Sequence, residues 1–287
     1  MVTVLGSALG SALGPALALA SAGLWGTADF AGGLVSRRLP PVAVVACSQA
    51  FGLLFVGVAA LITGAYAAPV DWVLWAVLAG ASGSLALVLF YAALSAGTMG
   101  VVSPIAALGA VVPVLLGLLA GERPSVLQVA GIVVALLGAA AASGPELSGA
   151  GRARPVVLAA LAGLGFGLAL YLIGRGAESS TLMTLVGMRA TSVAAFVVVA
   201  IAARTTGGVA ARDLPSLAAI GAADAGANLA FGVASTLGLL SVTAVLGSLY
   251  PVFTVLLARF VLRERLRRVQ QAGVMAALGG VVLLSVG

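Results

Sequence analysis

The chain has 287 residues, of which 62% are hydrophobic and 8% charged, and its mean hydropathy is +1.23. A protein surface that faces water needs far more charged side chains, so the composition excludes a water-soluble globular protein and indicates an integral membrane protein. The net charge of +6 comes from arginines, most of them in short connections where they orient helices and meet lipid head groups, so we expect no nucleic-acid partner.

The sequence lacks the residues that most enzyme and cofactor sites need. It contains no histidine and one cysteine, Cys47, so neither a metal cluster nor a disulfide framework can form. No glycine-rich segment ends in Gly-Lys-Ser or Gly-Lys-Thr, so the chain has nothing with which to hold the phosphates of ATP. We therefore predict no catalytic residues, no cofactor, no metal site and no enzymatic activity.

Hydropathy predicts an all-α chain with ten transmembrane helices. Each span needs about 20 apolar residues to cross a hydrocarbon core of about 30 Å, and the chain holds ten such spans with short connections. In chain order the predicted spans are Pro15–Val35, Val42–Thr63, Trp72–Leu94, Val101–Ala120, Ser125–Ala142, Pro155–Gly174, Leu182–Ala203, Leu214–Leu237, Val242–Leu262 and Val269–Val286. Pro15 and Pro155 are expected in the first turns of their helices, where a missing N–H costs nothing.

The second half of the chain repeats the first. A shift of 142 residues, without a gap, brings identical residues together, which indicates an internal duplication. The identical pairs are Glu122 and Glu264, Arg123 and Arg265, Gln128 and Gln270, Ala130 and Ala272, Gly131 and Gly273, Ala135 and Ala277, Leu136 and Leu278, and Gly138 and Gly280. We predict two five-helix repeats, residues 1–144 and 155–287. Because five is odd, the repeats must be inverted relative to each other, an arrangement that in transporters places the substrate site between the halves.

Four ionisable residues lie inside predicted spans, where each costs about 2.5–3.5 kcal/mol unless it has a partner or water. Asp29 is either a cavity carboxylate that binds a cation, an amine or a proton, or a buried group paired with an arginine. Asp224 and Asn228 lie one helical turn apart and line either a cavity or a hydrogen-bonded seam between helices. Arg189 is expected to meet Asp29 or Asp224 across a cavity or to extend toward the interface, and Arg259 to extend to the interface.

Other residues could shape or open a cavity. The aromatic side chains predicted to line it are Trp25, Phe166, Tyr171 and Tyr250. The prolines predicted to kink helices and serve as hinges are Pro104, Pro113 and Pro251. Glu122 and Glu264 are interpreted as solvated turn residues or as caps of the helices that follow them. None of these patterns by itself separates a role in transport from ordinary packing.

Short motifs give the chain a family resemblance. Each half ends in a helix, a Gly-Glu-Arg or Arg-Glu-Arg turn, and a helix that opens on Leu-Gln-x-x-Gly or Val-Gln-x-x-Gly. The first span contains Leu24-Trp25-Gly26-Thr27, and the ninth contains Tyr250-Pro251-Val252-Phe253. In this order and spacing, the motifs resemble the EamA-type members of the drug/metabolite transporter superfamily. The resemblance covers nearly the whole chain.

The resemblance implies ten helices around a central cavity, secondary transport of small metabolites, often outward, and both termini in the cytoplasm. The sequence also departs from the family pattern. Gln49 stands where members of the family commonly have an arginine in the second helix, and Arg189 is the expected match of that position in the second half. Gly109 likewise stands at the counterpart of Pro251. The arginine distribution implies the opposite orientation, with the termini outside, because most arginines lie in the odd-numbered connections.

The function that we predict is secondary active transport, as an exporter of small metabolites such as amino-acid-like or amphipathic compounds. Alternating access would be driven by protons or by exchange for a counter-substrate. The alternative is a lipid-carrier flippase or a membrane assembly component that transports nothing. The expected partners are a small-molecule substrate and the lipid bilayer, the expected location is a bacterial inner (plasma) membrane, and the protein is expected to be a monomer or a homodimer.

Overall fold

The computed structural model describes residues 2–97, 99–143, 153–205, 207–261 and 268–286, and within these ranges every regular element is a helix. The α-helices are α1 (Val2–Val35), α2 (Pro41–Thr63), α3 (Val73–Ala96), α4 (Met99–Ala107), α5 (Val111–Leu119), α6 (Val126–Ser143), α7 (Ala153–Ala203), α8 (Leu214–Ser235), α9 (Leu240–Gly247), α10 (Tyr250–Val261) and α11 (Arg268–Val286). The predicted all-α class is confirmed. Pro15 is an exception to the expected boundaries, because α1 begins at Val2 and Pro15 lies inside it.

Four helical stretches have the length and hydropathy to cross a membrane. These are Pro41–Thr63, Val70–Ala96, Arg154–Ala203 and Ala211–Ser235. The fourth and ninth predicted spans are not continuous α-helices. A 3-10 turn, Leu108–Ala110, separates α4 from α5, and residues 248–249 separate α9 from α10. The count of ten crossings therefore stays a prediction.

Helix α7 contains the sixth and seventh predicted spans and reverses direction at Ser180. The backbone of Ser180 is extended (φ −161°, ψ 110°), and its hydroxyl accepts a hydrogen bond from the Met183 N–H at 3.3 Å, as an N-cap does. Residues 153–179, called α7a, run antiparallel to α3, and residues 181–203, called α7b, run parallel to it. The glycine contacts that show these directions are Gly165 with Ala86, Gly83 with Ala169, Gly80 with Met188, and Gly187 with Ala76.

Helices α6 and α11 pack against each other through residues that the duplication relates. Gly138 lies against Ala277, and Gly280 lies against Ala135. The two glycines are repeat counterparts and so are the two alanines, so the same contact occurs twice. Gly131 packs on Leu284 in the same series, in which one residue number falls as the other rises, so the helices are antiparallel. A reciprocal contact of this kind is what a two-fold relation between two halves produces.

The contacts between turns divide the helix bundle into two ends. We call one the Arg38 end, because Arg38 forms an ion pair with Asp213 at 3.1 Å and so joins the connection after α1 to the start of α8. The connection after α3 and the start of α7 lie there too, because Val35, Leu94, Val102 and Ala159 share one buried cluster. The other is the Glu122 end, where the connections after α2, α5 and α8 and the turn at Ser180 lie.

Candidate functional site

A cavity lies in the middle of the bundle, between α1, α2, α3, α4, α7, α8, α9 and α10. Seven of the predicted pathway residues line it: Trp25, Asp29, Phe166, Arg189, Asp224, Asn228 and Tyr250. The structure does not bring Tyr171 to this cavity, because its side chain packs, partly buried, against an apolar cluster with Leu172 and Leu185.

Arg189, on α7b, is the most deeply buried charge in the cavity wall. Its side chain is 1% exposed, and Nη1 donates hydrogen bonds to Asp224 Oδ2 at 2.6 Å and to Gln49 Oε1 at 2.5 Å. A buried guanidinium is tolerated when it meets an opposite charge and an acceptor, and Nη1 has both here. Nε and Nη2 have no hydrogen-bond partner in the described part of the structure. Of the two carboxylates that the sequence offered as partners, the structure pairs Arg189 with Asp224.

Gln49 was not predicted as a site residue, although the sequence held the signal. The family resemblance gave Arg189 as the second-half match of Gln49, and the 142-residue shift brings the two within two positions of each other. The structure places their side chains in direct contact. Two arginines at these positions would repel each other, whereas the glutamine oxygen accepts a hydrogen bond. The departure from the family pattern at Gln49 therefore completes the arginine site instead of leaving it open.

The second oxygen of Asp224 is held by two other cavity residues. Trp25 Nε1 donates to Asp224 Oδ1 at 3.1 Å, which links α1 to α8, and Asn228 Nδ2 donates to the same oxygen at 3.2 Å. Asn228 also donates to the Asp224 backbone oxygen at 2.7 Å. The predicted polar stripe on α8 is thus a bonded network at the cavity wall, and its carboxylate charge is already balanced by Arg189.

Asp29 differs from Asp224 in having no such partner. It lies one turn after Trp25 on α1, lines the cavity, and is 8% exposed. Among the residues that the structure describes, no side chain forms an ion pair with Asp29, and none donates a hydrogen bond to it. Within the described part of the structure, the cavity therefore holds one carboxylate that no protein group balances.

Aromatic rings form the apolar part of the wall. Phe90 stands edge-on to both Phe166 and Tyr250, with ring centroids 5.5 Å and 6.2 Å apart. Trp25 packs on Phe231 at 5.7 Å. Gly26 allows α1 to approach α10 here, because a Cβ at Gly26 would lie 2.7 Å from the Tyr250 backbone oxygen. The wall thus combines aromatic faces with a few fixed polar groups, as small-molecule sites commonly do.

The predicted hinge prolines lie at or near helix breaks. Pro113 and Pro251 occupy the first turns of α5 and α10, each just after an interruption, where a proline lacks no needed N–H. Pro104 lies within α4, shortly before the 3-10 turn. The side chain of Arg259 and all of Glu264 lie outside the described part of the structure. Within that part, no three histidine, cysteine, aspartate or glutamate side chains are grouped so as to hold a metal ion.

Comparison with known proteins adds to this geometry. The model of the EamA-like transporter family matches residues 12–144 and, a second time, residues 153–286. A search of curated proteins gave no significant match. A solved crystal structure of another protein superposes with a TM-score of 0.77 at 20% sequence identity, and the alignment covers 94% of this chain and 95% of that one. At this identity the likeness shows a shared fold alone.

Proposed function

Because the chain belongs to the EamA-like transporter family, within the drug/metabolite transporter superfamily, we propose that it is a secondary active exporter of a small amphipathic metabolite. The predicted resemblance is confirmed by the family match, and the apolar helices make the chain an integral membrane protein. Family members are membrane transporters of small molecules. The direction of transport, the substrate and the coupling are parts of the proposal.

The observation that carries the proposal is the unbalanced carboxylate of Asp29 in a central cavity between the two matched repeats. Transporters built from inverted repeats bind substrate near the midplane between them, and alternating access follows when the repeats exchange conformations. The antiparallel contact of α6 and α11 supports this inverted relation. The repeats would comprise residues 1–144 and 155–287, with ten crossings in total.

The charge distribution in the cavity favours a substrate that carries an amino group. Asp29 can accept a protonated amine, and the rings of Trp25, Phe166 and Tyr250 can cover the apolar part of the same molecule. An acidic substrate is less favoured, because the charge of Arg189 is already paired with Asp224, although Nε and Nη2 of Arg189 have no hydrogen-bond partner in the described part of the structure. Amino-acid-like and other amphipathic amines fit this arrangement.

Asp29 also supports a coupling mechanism. A single carboxylate that must be neutralised can bind either a proton or a cationic substrate, so the two compete and the entry of one releases the other. Protons moving inward would then drive substrate outward, or a counter-substrate amine would take the proton's place in exchange. The location of this activity would be a bacterial inner membrane, with the protein acting as a monomer or a homodimer.

Reconstitution into proteoliposomes tests the proposal. Cells with and without the protein are first compared for accumulated amines to identify a substrate, and the purified protein is then supplied with that substrate and a pH gradient. Asp29→Asn should lower gradient-driven transport at least tenfold, because the side chain can no longer gain or lose a proton. Asp71→Asn, an exposed aspartate in the connection after α2, is the matched control. Undiminished uphill transport by Asp29→Asn would contradict the proposal.

A further inference from the structure

The carboxylate of Glu122 joins the two repeats at a point outside the cavity. Glu122 lies in the turn between α5 and α6, within the first matched repeat, residues 12–144. Its Oε1 accepts a hydrogen bond from the Leu240 N–H at 2.8 Å, and its Oε2 accepts one from the Ser241 N–H at 3.1 Å. Both donors belong to the first turn of α9, in the second matched repeat. Glu122 therefore caps a helix of the other repeat and not the helix that follows it.

The conformation of the turn between α5 and α6 sets the direction of the Glu122 side chain. Gly121 has φ +99°, which favours glycine, and the Glu122 N–H donates to the Gly117 oxygen at 3.0 Å, closing the end of α5. Gly117 leaves room for the carboxylate to lie back over α5, because a Cβ at that position would be 2.6 Å from Glu122 Oε2. Two glycines thus set the direction and the space for this contact.

Helix α9 needs the contact, because its own sequence supplies no cap. Leu239, at the N-cap position, has no side-chain hydrogen bond to the helix. The first N–H groups of a helix lack partners and carry partial positive charge, so a carboxylate is the best group to bind them. Glu122 satisfies two of these groups with both of its oxygens.

The far end of α9 forms part of the cavity. All eight residues of α9 are buried, and the cavity wall includes Gly247, its last residue, and Ser248 in the break that follows. At the near end, Leu240 packs over Gly174 of α7a. An eight-residue helix is about 12 Å long, so α9 is a short rod held by Glu122 at one end and open to the cavity at the other.

We propose that Glu122 is a positioning residue that holds α9 in place and keeps the Glu122 end of the cavity closed, and that opening of this end requires the contact to break. The proposal rests on alternating access and names the contact that controls it on one side.

Cysteine labelling in detergent tests the contact without a substrate. Cys47→Ser removes the native thiol, and a single reporter is then introduced as Ala79→Cys, which lines the cavity toward the Glu122 end, or as Ala107→Cys, which lines it toward the Arg38 end. In each background, Glu122→Ala is compared with the parent by its rate of reaction with a charged maleimide. Glu178→Ala is the control, because Glu178 is an exposed glutamate at the same end, paired with Arg175 of its own helix.

Glu122→Ala should raise the labelling rate at Ala79→Cys roughly tenfold, equivalent to about 1.4 kcal/mol, and lower the rate at Ala107→Cys, because opening one end closes the other. Glu178→Ala should change neither rate. Gly117→Ala displaces the carboxylate without removing it and should shift both rates in the same directions. Glu122→Gln, which keeps one acceptor oxygen, should do so more weakly and serves if the alanine variant does not fold.

Two results would overturn the proposal. Unchanged rates in folded Glu122 variants would show that the contact does not hold the end closed. Equal increases at both reporters would show general loosening of the bundle and a merely structural contact. Because the labelling requires no substrate, undiminished transport by Asp29→Asn would contradict the proposed function and leave the labelling result standing. Unchanged labelling in a protein that transports as proposed would refute only the role of Glu122.

Discussion

Arg189 shows how a chain with so few charges keeps one of them at its centre. A guanidinium that is 1% exposed has lost its water, and it donates hydrogen bonds to Asp224 and Gln49 instead, while Trp25 and Asn228 donate to the other oxygen of Asp224. Each partner comes from a different helix or a different turn, so the network also fixes how α1, α2, α7b and α8 meet. Removing one charge of a buried pair costs more than removing both.

The ion pair is therefore expected to behave non-additively in stability measurements. Arg189→Gln should lower the free energy of unfolding by about 3 kcal/mol, at the lower end of the range for a broken buried pair, because the Asp224 side chain is 13% exposed. Adding Asp224→Asn to that variant should restore much of the loss, because no uncompensated charge remains. Denaturant titration in detergent micelles measures both values. Equal stability of the single and the double variant would contradict the expected coupling.

At this scale the sequence identified the charges but not all of their partners. Asp29, Arg189 and Asp224 stand out because charged side chains are rare inside apolar spans. The contact of Arg189 with Gln49 and that of Glu122 with α9 each join residues more than a hundred positions apart. Local patterns hold no information on such contacts, and only the family resemblance, which gave Arg189 as the second-half match of Gln49, pointed to one of them.

Among the helices, α6 and α11 show what the duplication does in space. The repeated glycines and alanines first marked the duplication, and the structure uses them for close helix approach, since Gly138 meets Ala277 and Gly280 meets Ala135. Lipid is as apolar as the helix side chains, so membrane helices associate without a hydrophobic driving force and depend on the close packing that small residues allow. The duplication could be detected in the sequence because close packing requires the same small residues in both halves.

Two neighbouring positions of α11 give a matched test of this interface. Gly280→Ala should lower the free energy of unfolding by roughly 1–3 kcal/mol, because a Cβ there would lie 2.6 Å from the Ala135 backbone nitrogen. Gly279→Ala should leave stability unchanged or raise it slightly, because its Cβ would meet no atom within 4 Å. Thermal unfolding of the two purified variants measures the difference. Equal stability would mean that α6 and α11 do not pack as the structure has them.

Hydropathy did not predict the helix breaks within the fourth and ninth spans. The segments from Val101 to Ala120 and from Val242 to Leu262 are uniformly apolar over most of their length, which predicts one helix each. The structure interrupts both near the cavity, at residues 108–110 and 248–249. Broken helices in transporters are tolerated where they line a cavity, and that condition depends on the whole assembly and not on the local sequence.

The whole molecule carries its charge mainly at one end. The described connections and adjoining helix segments at the Arg38 end hold Arg37, Arg38, Arg154, Arg204, Arg212 and Arg268, whereas those at the Glu122 end hold Arg123 and Arg175. Arginines in short loops stay in the cytoplasm, so this asymmetry places the Arg38 end inside. Helix α11 ends near the start of α6, at the Glu122 end, because Leu284 packs on Gly131. The C-terminus is then expected outside, whereas the family resemblance implies a cytoplasmic one.

Reporter fusions in bacterial cells distinguish the two orientations. Alkaline phosphatase is active only in the periplasm and green fluorescent protein fluoresces only in the cytoplasm, so each is fused after the last residue. The charge distribution predicts an active phosphatase and a dark fluorescent protein there. The same reporters inserted after Gly208, in the connection that precedes α8, should give the reverse pattern and control for expression. A fluorescent C-terminal fusion with an inactive phosphatase would place the Glu122 end in the cytoplasm, and Glu122 would then control the cytoplasmic side of the cavity.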